Sequence, residues 1–385
     1  MDKTINQDIK YIGCDDKEIT LFEGQYILED GMCYNSYIIE DEKIAVMDTV
    51  DKAKKDEWLS NLEKALNGRV PDYLIVQHVE PDHSSVLGEV AEKYPSLTVV
   101  CSAAAQKMLP LYFPNLSVKI QTVKEGDEIK LGKNTLKFFA APMVHWPEVI
   151  VTYAVEAKVL FSADGFGKFG VYDSEPDDWA CEARRYYFNI CGKYGVQVQN
   201  LMKKAATLEI ETICPLHGPI LKGEGLKEAL RLYDIWSKYD VETEGVFIAY
   251  CTMHSNTGNA AEYLADVLRK NGVKVSASNI CVDDWAEGVE DAFKYSTLVL
   301  AAPTYDGGLF PKMADFIHHL KIKNYQKRKI AFIENGSWAP QAAKHMKEMV
   351  KDFKDVTIIE EQVTLKGALK DEDKKKLEEL AEKLK

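Results

Sequence analysis

Hydrophobic and polar positions change their rhythm near residue 245. Before it, short apolar runs end in polar loops. The runs 44–47, 74–77, 97–101, 135–140, 159–162 and 213–215 are bounded by turn residues and predict buried strands. From 246 onward strands and helices alternate. A strand at 246–251 leads through a polar loop into a helix with Ala261, Leu264, Ala265 and Leu268 on one face, at i, i+3, i+4 and i+7 spacing. Asn271-Gly272 stops it. Further strands are predicted at 274–280, 297–303, 329–333 and 357–363, with helices between them. The last helix puts Leu377, Leu380, Ala381 and Leu384 on one stripe, leaving its many Lys and Glu to solvent. Such alternation predicts a doubly wound parallel sheet. The stretch 233–244, with Asp240, Glu242 and Glu244, reads as a helix end and linker. Two domains are therefore expected, 1–245 and 246–385.

Composition narrows the function classes. The chain has 385 residues, 28% charged and 46% hydrophobic, as in ordinary globular proteins. No apolar run reaches the roughly 18 residues of a membrane span, and the first eight residues lack the apolar core of a signal peptide. A net charge of -13 is a poor surface for a polyanion, so neither nucleic acid nor membrane is an expected partner. The eight cysteines (Cys14, Cys33, Cys101, Cys181, Cys191, Cys214, Cys251 and Cys281) contain no C-x-x-C pair, which excludes an internal rubredoxin-type or zinc-knuckle module. They are expected to be reduced, mostly buried thiols of a cytoplasmic protein.

The loops of the front half carry metal-binding chemistry. The predicted strand 74–77 runs into His78-Val79-Glu80-Pro81-Asp82-His83. His145, Asp164 and His217 follow, each after an apolar strand. The first 245 residues contain only four His, and all four occupy these loops. One such His is commonly a satisfied structural residue; seven candidate ligands at strand ends are not explained that way. The run Glu80-Pro81-Asp82-His83 also matches the Glu-x-x-His of ferritin-like bundles. That architecture needs two such motifs on long helices, and Pro in a helix interior costs about 3 kcal/mol.

The arrangement resembles the metallo-β-lactamase fold, an αββα sandwich whose pattern is H-x-H-x-D-H followed by a later His, Asp and His. Glu80 stands where hydrolases of that fold usually carry His. Four imidazoles with Glu80, Asp82 and Asp164 form a more anionic N/O set, which suits iron better than zinc and must keep an open position for substrate. By analogy with that fold, His78, Glu80 and His145 would hold a first metal. Asp82, His83 and His217 would surround a second, and Asp164 would bridge. In some iron relatives a water replaces the equivalent of His83.

The back half offers three loops at the carboxyl ends of predicted parallel strands, where ligands of this fold class bind. Thr252, Met253, His254, Ser255, Asn256 and Thr257 lead into a helix N-terminus, a phosphate cradle of hydroxyls, amides and backbone N–H groups. Pro303, Thr304, Tyr305, Asp306, Gly307 and Gly308 form the second loop. Asn335, Gly336, Ser337 and Trp338 form the third. Glycines permit close backbone approach, and Tyr305 and Trp338 can stack on a flat ring. The module resembles flavodoxin, and the ligand implied is FMN. His318, His319 and His345 fall in helical stretches and read as ordinary helix residues.

Together the two motif sets resemble the flavodiiron proteins over essentially the full chain. The resemblance implies an oxidoreductase reducing dioxygen to water or nitric oxide to nitrous oxide. Fully reduced FMN and two ferrous ions hold the four electrons that dioxygen requires. It also implies a separate electron donor, since this minimal form carries no rubredoxin domain. That donor could be rubredoxin, a deazaflavin coenzyme or another carrier. A head-to-tail homodimer or a dimer of dimers is implied as well. Trp146, and Tyr186 or Tyr187, are candidates to line a gas pocket or simply to pack. Two other readings stay open: a zinc hydrolase with a regulatory flavodoxin domain, and an electron carrier or redox sensor with a structural metal.

Overall fold

The computed structural model describes residues 3–173 and 179–385. Two compact units comprise residues 1–234 and 235–385. Among the described residues, no helix is long and apolar enough to cross a membrane.

The first unit is built on two six-stranded sheets. One orders its strands Ile9–Tyr11, Tyr37–Ile39, Ala45–Met47, Tyr73–Ile75, Thr98–Ser102 and Lys119–Val123. The other orders Glu128–Lys130, Thr135–Ala140, Ile150–Ala154, Val159–Phe161, Thr212–Cys214 and Leu221–Lys222. Their inner faces meet in one core: Tyr37, Met47, Ile75 and Val100 from the first pack with Leu136, Phe138, Ile150 and Phe161 from the second. Burial of these faces drives the sandwich. Helices cover it; Trp58, Leu62 and Leu66 form the buried stripe of Lys55–Leu66. This is the expected αββα sandwich.

The strands 45–47, 73–75, 159–161 and 212–214 are three residues long, so each apolar run hands the chain quickly to a loop. One expectation needs amendment. Asp82 and His83 do sit on a helical turn, Pro81–Ser84. Pro81 takes its first position, where the missing N–H is unneeded and the fixed φ suits the helix, so the interior penalty does not apply.

The second unit has a five-stranded parallel sheet in the order Val275–Asn279, Thr243–Tyr250, Tyr295–Tyr305, Lys329–Asn335, Thr357–Leu365. That 2-1-3-4-5 order is the flavodoxin-like winding, with its switch point beside the first strand. Alternate side chains serve opposite faces. Val246 and Ile248 meet Leu264, Leu268, Leu377 and Leu380 of the helices Asn256–Lys270 and Asp371–Lys383. The third strand runs through Tyr305, further than its apolar run indicated, because Gly308–Leu309 folds back and pairs with it.

Candidate functional site

In the first unit, loops after four strands converge. Asp48, just past strand Ala45–Met47, accepts the Gln77 N–H at 2.7 Å and the Gln77 side-chain amide at 2.9 Å. Thr49 donates to the His83 carbonyl through both its N–H (2.8 Å) and its hydroxyl (2.9 Å). One polar loop therefore fixes both ends of the segment 78–83.

The structure brings all seven predicted ligands together in two groups, His78, Glu80, His145 and Asp164, and Asp82, His83 and His217. Within each group the ligand atoms lie within 4.8 Å of one another. Glu80 Oε2 is 3.0 Å from Nε2 of both His78 and His145. Asp164 stands between the groups. Its Oδ2 is 3.2 Å from His78 and 3.3 Å from His145, while Oδ1 is 3.2 Å from His83 and 3.7 Å from His217. Asp82 Oδ2 lies 3.2 Å from His83 and from His217.

Outer partners aim these rings. His78 Nδ1 faces Glu148 Oε1 at 2.7 Å, and His217 Nδ1 faces the Cys33 carbonyl at 2.7 Å. Each leaves Nε2 directed into the cluster, the usual way a ligating His is fixed. Sequence reasoning missed Glu148, Cys33 and Asp48. Only Glu148 carried a signal, an acid three residues past His145.

The electrostatics describe a cluster that demands positive charge. Burial opposes charge on His78, yet Asp164, Glu148 and Glu80 hold its pKa well above the ordinary imidazole value. Burial likewise opposes charge on His145, but Asp164 and Glu80 raise it to about 9. Burial would raise Glu80; its imidazole partners His145 and His78 instead bring it to about 2. Burial also opposes ionisation of Asp164, but His83, His78 and His145 hold it well below the carboxylate range. Asp82 is pushed up to about 7 by burial, which His83 only partly offsets, and by Glu80 and Asp164. Burial lowers His217.

The donor set fits bound cations. Both oxygens of Asp82, both of Asp164 and both ring nitrogens of His83 are buried without a hydrogen-bond partner. Such atoms are costly when nothing satisfies them, and here they converge on one another's neighbourhood. Aromatic rings wall the cluster. Trp146 stands edge-on to His78 at 5.2 Å, and Tyr186, Phe22 and Tyr34 lie 5.6, 5.6 and 5.9 Å from His217. Tyr187 packs against Tyr233 and Phe188.

In the second unit the loops at the carboxyl ends of the sheet enclose a cavity of about 220 Å³. Its lining includes Thr252, Met253, His254, Asn256, Thr257, Pro303, Thr304, Asp306, Gly307, Asn335, Gly336, Ser337 and Trp338. Ser255, Tyr305 and Gly308 are not part of that wall. Ser255 caps the helix Asn256–Lys270 with φ +64°, and Tyr305 packs edge-on against Phe310 at 5.6 Å. The Thr304 hydroxyl accepts the N–H groups of Gln341 and Ala342, at the start of the helix Ala342–Val350. Thr252 Oγ1 is buried without a partner, and Trp338 is 71% exposed at the rim. An unpaired hydroxyl beside a helix N-terminus fits a phosphate, and an exposed indole fits a stacking ring. Gly367 completes the wall and was missed. It follows the fifth strand, Thr357–Leu365, whose polar Glu360, Glu361 and Gln362 hide the strand end from the apolar pattern. Asn335 holds it there, donating Nδ2–H to the Gly367 carbonyl and accepting its N–H, each at 2.9 Å.

Comparison with known proteins adds independent findings. Residues 32–218 match the ODP family beta lactamase model, and residues 247–373 match a flavodoxin domain model. The chain is 32% identical to the coenzyme F420H2 oxidase of Methanothermobacter marburgensis, covering 83% of this chain and 81% of that one. It is 28% identical to the nitric oxide reductase of Moorella thermoacetica, covering 99% and 97%. The solved rubredoxin oxygen:oxidoreductase from Desulfovibrio gigas superposes with a TM-score of 0.92 at 25% identity, covering 99% of this chain and 97% of that one. The chain belongs to the flavodiiron proteins, oxidoreductases that carry FMN and a di-iron centre.

Proposed function

We propose that this protein reduces dioxygen to water, nitric oxide to nitrous oxide, or both, with electrons passing from an external carrier through FMN to iron. The observation that carries this reading is the largely buried cluster of three carboxylates and four imidazoles, with Asp164 facing both groups. His78, Glu80 and His145 would hold one iron, and Asp82, His83 and His217 the other. Asp164 would bridge them. When bound, the irons would supply an open coordination position and electrons for the gas. The chain's own residues do the rest. Glu148 and the Cys33 carbonyl orient rings, the aromatic wall limits water, and protonatable imidazoles balance carboxylate charge until metal replaces them.

The cavity lined by 252–254, 256–257, 303–304, 306–307, 335–338 and Gly367 would hold FMN, with Thr252 and the helix N-terminus on the phosphate and Trp338 on the ring. We place the metal chemistry in 1–245 and the flavin in 246–385. The donor would be a separate carrier such as rubredoxin or reduced coenzyme F420, matching the names of the relatives above. A head-to-tail homodimer, bringing one protomer's flavin beside its partner's irons, and a cytoplasmic location complete the reading. A zinc hydrolase is not favoured, because Glu80 replaces a neutral imidazole with a carboxylate.

Anaerobic stopped-flow tests this. The protein, fully reduced, is mixed with stoichiometric oxygen or nitric oxide while flavin absorbance is followed. Fast reoxidation by one gas is expected and names the preferred substrate. Slow reoxidation by both would sink the proposal.

A further inference from the structure

Two thiols meet beside the loop that would take the flavin phosphate. Cys251 directly follows strand Thr243–Tyr250, and its N–H donates to the Ala301 carbonyl at 2.9 Å. Cys281 lies in the turn after the neighbouring parallel strand Val275–Asn279. The register pairs Tyr250 with Asn279, and the Ile280 N–H continues the ladder to the Tyr250 carbonyl at 2.9 Å. The ladder thus delivers both cysteines to one edge of the sheet. Cys281 sits next to Cys251 at the carboxyl ends of these two paired strands. Cys281 Sγ also lies 3.9 Å from the Thr252 carbonyl, to which it donates. Both thiols are free; Cys251 is buried and Cys281 half-buried. Thr252, the next residue after Cys251, lines the cavity.

We propose that Cys251 and Cys281 form a peroxide-reactive dithiol site whose closure to a disulfide weakens the phosphate loop's hold on FMN. The second half rests on the flavin reading; the first does not. Cys281 is the first nucleophile because it is the thiol that solvent reaches. Burial, with Cys281 beside it, holds the Cys251 pKa above the ordinary thiol value, so Cys251 is the slower nucleophile and acts second, giving up its proton as it attacks the oxidised Cys281. The Cys281 thiolate attacks a peroxide oxygen. An S–O bond forms, the O–O bond breaks, and the leaving hydroxide takes a proton to become water. The Cys251 sulfur then attacks Cys281. The S–S bond forms, the S–O bond breaks, and the Cys251 proton leaves with the hydroxide as a second water. Two thiols and one hydrogen peroxide give one disulfide and two waters, with two electrons passing to the peroxide. A disulfide needs sulfurs about 2.05 Å apart, well inside the contact distance of two unbonded sulfurs. Closing the pair therefore pulls Cys251 toward the turn, takes the Cys281 donor from the Thr252 carbonyl, and moves Thr252.

The test uses the full chain, reduced with dithiothreitol, desalted and exposed to excess hydrogen peroxide. Non-reducing peptide mapping should find a Cys251–Cys281 cross-link with the loss of two hydrogens, reversed by dithiothreitol and absent from Cys251→Ser and Cys281→Ser. Titration with FMN, followed by flavin fluorescence, should give a dissociation constant about tenfold higher for oxidised than for reduced wild type, and no such difference for Cys281→Ser. Absence of the cross-link in wild type while the exposed Cys181 oxidises overturns the site. A cross-link with unchanged FMN affinity overturns the coupling. If the reduced protein fails to bind FMN at all, the flavin reading falls, and the mapping still decides the dithiol.

Discussion

Glu148 Oε1 accepts from His78 Nδ1 at 2.7 Å and from the Val79 N–H at 3.1 Å, and both side chains are fully buried. One carboxylate oxygen thus fixes the ring and the backbone of the segment that enters the cluster. With Nδ1 committed, Nε2 is the nitrogen left to face Glu80 and Asp164. Glu148→Gln keeps the shape and removes the charge. It should weaken iron binding by about 10–100-fold while FMN content stays that of wild type. Iron and flavin analysis of the purified variant checks both halves.

His83 decides how the second group works. Its Nε2 lies 3.2 Å from both Asp82 and Asp164, and neither ring nitrogen has a hydrogen-bond partner. If it ligates, His83→Ala should drop iron from two to about one per chain, sparing the group around His78. Retention of two irons would mean that Asp82, Asp164 and His217 suffice.

How much of this was legible follows from particular residues. The seven ligands could be read because each follows an apolar strand and the front half spends its histidines nowhere else. The sheet of the second unit could be read because its central strands, 246–250, 297–303 and 329–333, are longer apolar runs separated by amphipathic helices. Ile9–Tyr11 and Glu128–Lys130 could not, since Lys10, Glu128 and Lys130 leave no apolar run in them. Lys119–Val123 is an edge strand whose exposed Lys119, Gln121 and Thr122 hide its register. Ile150–Ala154 is wholly buried, yet Thr152 and Tyr153 interrupt the apolar run. Glu148 and Gly367 act through distant partners, which local pattern does not reveal.

Glu80 is the residue that separates this cluster from a hydrolase site, because its carboxylate faces two imidazoles at 3.0 Å. Glu80→His exchanges that anion for a neutral ring and softens the donor set. The variant should take up zinc in preference to iron and lose gas reduction. Metal analysis after growth with both metals, read beside stopped-flow, tests it; an iron-loaded and fully active variant would refute this role for Glu80.

Arg328 ties the linker to the second unit. Buried, it donates to the carbonyls of Tyr239 at 2.7 Å and Asp240 at 3.0 Å, and also to that of Phe293. Arg328→Met would leave these carbonyls without their donor and should cost about 2–4 kcal/mol. Urea denaturation, with hydrogen exchange localising the loss to 235–385, measures it. Iron content should be unaffected.

Asn335 ends the fourth strand of the parallel sheet and grips Gly367 through two hydrogen bonds of 2.9 Å, closing one side of the cavity. Gly367 has φ +91°, a conformation that glycine adopts without strain, so its loop depends on this clamp more than on its own backbone preference. Asn335→Ala frees the loop at both its donor and its acceptor. Two neutral hydrogen bonds are worth about 1–3 kcal/mol together, and the bound state must then re-order a looser loop. FMN affinity should fall about tenfold or more, while the buried strands 329–333 and 297–303 keep the sheet folded. Flavin fluorescence titration of the apoprotein gives the affinity, and thermal unfolding without flavin separates a loosened loop from a damaged sheet. Unchanged affinity would show that the Gly367 loop is held without the clamp.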